Sequence, residues 1–108
     1  IIEAKGTGSV DLKKTSYTSS EITSAGNAST SHTFIICNSG TALAVGMADG
    51  TIVGENKIFT NKGAGTATIT PTTFGPGVSV ALAQHQGCQM IWDGTNWQLI
   101  GNYGGTVS

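Results

Sequence analysis

Apolar and polar residues alternate in short runs along most of this chain, and Gly, Asn, Asp or Pro separates one run from the next. Alternation of period two suits a strand with one buried face, because successive side chains of a strand point to opposite sides of its sheet. The pattern predicts strands at 32–37, 41–47, 56–60, 66–70, 77–83, 88–92 and 97–100, with weaker candidates at 9–12 and 21–24. Nowhere do apolar positions recur at helical spacing over three turns, and the β-branched and glycine content opposes helix throughout. Gly40, Asp49-Gly50, Gly63 with Gly65, and Gly75-Pro76-Gly77 read as turns. The expected fold is all-β: a single-domain β-sandwich or barrel of about eight short antiparallel strands over residues 9–108, preceded by an extended N-terminal arm at 1–8.

Three stretches make the expectation concrete. In "NKGAGTATITP" Gly63 and Gly65 are expected to supply the positive φ of a loop, Ala67 and Ile69 alternate with threonines, and Pro71 stops the ladder. In "GVSVALA" the residues Val78, Val80 and Leu82 share one face, and this strand is expected to pair with the preceding one around a turn at 71–77. "IWDGTNWQLIG" reads as a hairpin around Asp93-Gly94 that opposes Trp92 to Trp97, Ile91 to Gln98, Met90 to Leu99 and Gln89 to Ile100. One of its faces then carries Cys88, Met90, Trp92, Trp97 and Leu99, which suits a core. Trp92 and Trp97 are thus the candidate core aromatic pair, since large aromatics are more often buried than displayed; the alternative is a sugar-stacking platform. The other face carries Gln89, Ile91, Gln98 and Ile100. Of these, Ile91, Gln98 and Ile100 are the candidates for a subunit interface, the alternative being a second core layer against the same chain.

Composition sharpens that choice. Charged residues make up 10% of the 108 positions, against roughly 25% in ordinary soluble domains. A free monomer keeps itself soluble and blunts its sheet edges with charge, so a chain this poor in it is expected to cover surface by forming a homo-oligomer. The net charge is -1. The only basic side chains besides histidine are Lys5, Lys13, Lys14, Lys57 and Lys62, and there is no arginine. Nucleic-acid binding needs a basic footprint, and that class is set aside. No apolar run approaches the ~20 residues of a helical membrane span, and no membrane partner is expected.

Chemistry-bearing residues are sparse. The acids Glu3, Asp11, Glu21, Asp49, Glu55 and Asp93 are scattered, with Asp49 and Asp93 accounted for by turns. His85 and Cys88, three apart, could contribute two metal ligands, or they are a loop histidine beside a buried thiol. Cys37 and Cys88 are expected as buried thiols, with a disulfide as the alternative. No catalytic constellation, metal or cofactor is expected, and the chain is not expected to be an enzyme.

The stretch 54–105, "GENKIFTNKGAGTATITPTTFGPGVSVALAQHQGCQMIWDGTNWQLIGNYGG", resembles small β-structured virion proteins of tailed bacteriophages. The features that carry the resemblance are the Thr-rich "TATITPTTF" strand and turn, the "VSVAL" strand, "DGTNW" and the closing "IG". Similar domains occur in capsid decoration (cement) proteins and in some phage fibres. The resemblance implies an all-β, commonly trimeric domain without catalytic activity. The short chain favours decoration: a trimer on the capsid exterior of the virion, assembled in the host cytoplasm, with the major capsid protein as partner. Ile1, Ile2, Glu3 and Lys5 in the arm are the candidate capsid contacts, through a strand added to a neighbouring sheet edge; a frayed terminus is the alternative. The rival function is a tail-fibre or receptor- and glycan-binding β-module, with Trp92, Trp97 or Tyr103 as its sugar platform.

Overall fold

A computed structural model describes Gly6, Gly8 and residues 13–108. Among the described residues ten strands form: β1 (Ser19–Ile22), β2 (Gly26–Asn27), β3 (Phe34–Cys37), β4 (Leu43–Met47), β5 (Asn56–Asn61), β6 (Ala67–Pro71), β7 (Val80–Leu82), β8 (Gly87–Trp92), β9 (Trp97–Tyr103) and β10 (Thr106–Val107). They make two mixed five-stranded sheets, β1-β3-β5-β8-β9 and β10-β7-β6-β4-β2. The fold is all-β with no helix among the described residues, and neither sheet closes into a barrel. The candidate strand at 9–12 and the arm residues Ile1, Ile2, Glu3 and Lys5 lie outside the described residues.

The expectation of antiparallel strands holds for only part of the molecule. From β1 to β6 the chain crosses from one sheet to the other after every strand, so β3 returns beside β1 and β5 beside β3 in the same direction, while β2, β4 and β6 do likewise opposite them. Parallel neighbours need a crossover, and here a strand of the facing sheet supplies it. Only the last part of the chain pairs antiparallel, β6 with β7, β5 with β8, β8 with β9 and β7 with β10. β2 and β10, two residues each, are too short to leave an alternation in the sequence.

Alternating burial follows from this winding. Phe59 in β5, Cys88, Met90 and Trp92 in β8, Ile35 and Cys37 in β3 meet Val45, Ile69, Val80 and Leu82 from the second sheet in one hydrophobic cluster. Both cysteines are free and buried. Two polar side chains occupy inward positions at the ends of β5. Lys57 sends its ammonium to the main-chain carbonyls of Ser29 and His32. Asn61 donates to the carbonyls of Gly65 at 2.9 Å and Leu82 at 2.8 Å and accepts from Gly63 N–H at 3.1 Å. Burying such groups is tolerable only because each is hydrogen-bonded.

Several local expectations change. Gly63 and Gly65 have no positive φ; a Cβ at either would collide with the main chain of Ser39 or Thr41. Their glycines serve a close approach of two stacked corners, joined by Gly65 N–H to Ser39 C=O at 2.9 Å. Pro71 does end the ladder, as the last residue of β6 and opposite Met47. Since β7 reaches only as far as Ile69, no neighbour requires the N–H that Pro71 lacks. Val78 is exposed, because the chain at 78–79 is diverted to pair with Ser108 before β7 begins at Val80.

Candidate functional site

The hairpin at 92–97 forms around Gly94, whose φ is +102°, with Asp93 N–H donating to Asn96 C=O at 3.0 Å. Asp93 Oδ1 accepts from the main-chain N–H groups of Thr95 at 2.8 Å and Asn96 at 2.7 Å, and Oδ2 accepts from Gln98 Nε2 at 2.9 Å. These donors, the Asn96 N–H foremost, hold the carboxyl below its usual range. Trp92 and Trp97 face each other across the ladder. Their exposures are 6% and 1%, their ring centroids are 5.5 Å apart and their planes tilt by 60°. Trp97 Nε1 donates to Ala48 C=O at 2.9 Å, and the main chain of Gly50 lies against the Trp92 indole. Neither ring presents a face on which a sugar could stack.

Beyond Met90 and Leu99 the expected register slips. Gln89 pairs with Gly101, not with Ile100, because a β-bulge places Ile100 as an extra residue between Leu99 and Gly101. Ile100 is 59% exposed. Ile91 and Gln98 remain directly opposite each other, half-buried, on the outer side of the first sheet.

That outer side is the distinctive surface. Its rows across the strands read Phe34, Ile58, Gln89, Gly101; then Ile36, Thr60, Gly87, Tyr103; then Asn56, Ile91, Gln98. From β3 to β9 no charged side chain stands in those rows, but β1 adds Glu21 to the second of them, beside Ile36. Glu21 lies at the β1 edge, in an exposed ion pair with Lys62 at 3.4 Å. The outer side of the second sheet offers small groups instead: Ala44, Gly46, Thr68, Thr70 and Ala81. The first sheet's outer side has two unlike ends. Near the hairpin turn, Ile52 and Val53, each 70% exposed, rise from a loop that bonds to Trp92 C=O through Gly54 N–H at 2.8 Å. At the other end, Gly87 and Gly101 leave an open depression of about 490 Å³, walled by Ile58, Thr60, His85, Gln86, Gln89 and Tyr103. Sequence reasoning found Ile91, Gln98 and Tyr103 but missed the depression, which two glycines from different strands create only once their register is known.

Cys88 is 5% exposed and part of the core cluster, while His85 is an exposed loop residue at the rim of the depression. Among the described residues no three His, Cys, Asp or Glu side chains cluster as metal ligands would. No protein-family model matches the chain, and no curated protein is significantly similar to it.

Proposed function

We propose that the protein is a non-enzymatic structural module of a phage virion, a capsid decoration protein that works as a homo-oligomer, most simply a trimer, on the shell exterior. The observation that supports this reading best is the partly apolar outer side of the first sheet, uncharged from β3 to β9 and bordered at β1 by Glu21, with Ile52, Val53, Ile91 and Ile100 toward the hairpin. A sheet face of that chemistry has no internal layer to cover it, and contiguous exposed apolar surface on a small domain marks an association site. Gln98 is tied to Asp93 of its own hairpin, so it borders the contact while the isoleucines supply its apolar area. The major capsid protein is the proposed partner, reached through the arm that carries Ile1, Ile2, Glu3 and Lys5.

Light scattering coupled to gel filtration tests the association. The wild-type chain should elute with a mass of three protomers, and Ile91→Lys, which puts an ammonium into the apolar end, should give a folded monomer. A wild-type monomer at every concentration sinks the proposal. Deleting residues 1–8 should leave the oligomer intact and weaken its co-sedimentation with expanded capsids.

A further inference from the structure

We infer that the depression between Tyr103 and His85 is a binding site for a neutral saccharide. The inference uses the same sheet face as the assembly reading, Ile58 and Thr60 included, and is tested apart from it through Ile91, which does not line the depression. Four observations carry it. Tyr103 is 76% exposed and stands beside the glycine floor of Gly87 and Gly101, so a flat apolar ring borders a space free of side chains. Such a ring suits the C–H face of a pyranose, and tyrosine joins an apolar body to a polar tip.

The polar groups around the floor are available. Among the described residues, the Tyr103 hydroxyl, the His85 imidazole and the Thr60 hydroxyl have no hydrogen-bond partner. Gln89 uses its amide N–H₂ on Asn56 at 2.9 Å and leaves its carbonyl oxygen without one. Gln86 accepts from Ala83 N–H at 2.8 Å and leaves its N–H₂ unused. Donors and acceptors interleaved at the mouth of a shallow site match the hydroxyls of a sugar, each of which can both give and accept.

His85 also occupies a costly backbone position. Its φ is +68°, and it is the only described non-glycine residue in that region. It is the third residue of the turn at 83–86, closed by Gln86 N–H to Ala83 C=O at 3.1 Å, a position glycine fills without strain. A side chain held there at a conformational cost points to use of the side chain.

Charge selects the ligand class. Among the described residues no Lys, Arg, Glu or Asp lines the depression, so it has no lysine or arginine of the kind that selects a phosphate, a uronic acid or a sialic acid over a neutral sugar.

The test is a titration of the isotopically labelled full chain with neutral oligosaccharides of glucose, galactose and N-acetylglucosamine at millimolar concentration, read by amide NMR shifts. At least one sugar should shift Gln86, Gly87, Gln89, Gly101 and Tyr103 together. Tyr103→Ala should weaken that binding at least tenfold with the spectrum otherwise retained. His85→Gly should also weaken binding while raising the melting temperature, a split that a purely structural histidine would not produce. Ile91→Lys should leave the shifts in place whether or not it dissociates an oligomer, which separates this inference from the assembly proposal. No shift with any neutral sugar, shifts centred elsewhere, binding indifferent to Tyr103→Ala, or response only to charged saccharides each overturns it.

Discussion

Asn61 is the side chain on which the far end of the core depends, and replacing it separates a hydrogen-bonding role from mere filling of space. It is buried, and its amide joins three main-chain groups from two places: Leu82 C=O in β7, and Gly65 C=O and Gly63 N–H in the β5–β6 corner. Each such bond contributes about 1 kcal/mol net, and a buried group left unpaired costs about 1–3 kcal/mol. Asn61→Ala should therefore destabilise by about 3 kcal/mol, a large share of the ~5–15 kcal/mol that holds a domain of this size. The assay is urea unfolding followed by circular dichroism and tryptophan fluorescence, where the midpoint should fall by about 1–2 M with an unchanged slope. Asn61→Asp is the sharper variant. It keeps the shape and the acceptor but loses both donors, and it aims a carboxylate at two carbonyl oxygens. At neutral pH it should cost more than alanine does. Those oxygens raise the folded pKa of the new carboxyl above its unfolded value of ~3.9. The deficit should then shrink on acidification toward pH ~4 and grow as pH rises through the folded pKa. An Asn61→Ala protein within ~1 kcal/mol of wild type, or an Asn61→Asp deficit that ignores pH, would refute the reasoning.

Two further predictions concern packing and protonation. Gly65→Ala, which drives a methyl into the Thr41 main chain, should cost at least ~1–3 kcal/mol in the same urea assay, while Gly40→Ala, with open space around its Cβ position and an ordinary φ, should fall within ~1 kcal/mol of wild type. The buried thiols should set an alkaline limit. Burial pushes Cys37 from 9.0 up to about 11 and, with the neighbouring Cys37 as a lesser cause, pushes Cys88 up to about 12. Both are raised, so their contribution is complete below pH 9 and is lost above it, at about 1.4 kcal/mol per pH unit for each thiol until its folded pKa is reached. Lys57, lowered mainly by burial despite Glu55, works the other way between its folded pKa and 10.5. Stability from chemical unfolding should fall between pH 9 and 11, and a Cys37→Ala/Cys88→Ala protein should show a flatter profile.

What could be read from the sequence was whatever one strand decides alone. The runs at 56–60, 66–70 and 88–92 recur as β5, β6 and β8 to within a residue at each end, because burial on one side imprints the alternation directly. The Asp93-Gly94 turn likewise fixes its own hairpin. Pairing direction is different in kind: "FIIC" alternates identically beside a parallel or an antiparallel neighbour, so nothing in 34–37 reveals that β3 runs with β1 and β5. Ile100 illustrates a second limit, since one bulge cancels the register that alternation assumes. Gly63 and Gly65 carry a real signal, but the letter G does not distinguish positive φ from a close approach of main chains. Lys57 and Asn61, polar letters at strand ends, gave no hint of facing inward, because their partners are carbonyls that any residue could offer.

The winding also bears on how the proposed association would occur. A sheet can join another chain by its edge or by its face. The second sheet ends in β2 and β10, two residues each, and the first ends on one side in β1, four residues beside the Glu21–Lys62 pair. Short, charged edges are poor templates for strand addition. The remaining edge, β9, is longer, but its ladder is interrupted by the bulge at Ile100. Edge-to-edge growth is thus disfavoured on every side, while the outer side of the first sheet carries Phe34, Ile36, Ile58 and Ile91, with Glu21 the one charge beside them at the β1 border. The parallel return of β1, β3 and β5 builds that face: it brings Phe34 beside Ile58 and Ile36 beside Thr60 from segments 24 residues apart, so apolar outward positions that look isolated in the sequence become one row. The proposed association through the face would therefore rest on the same crossover pattern that separates the two sheets.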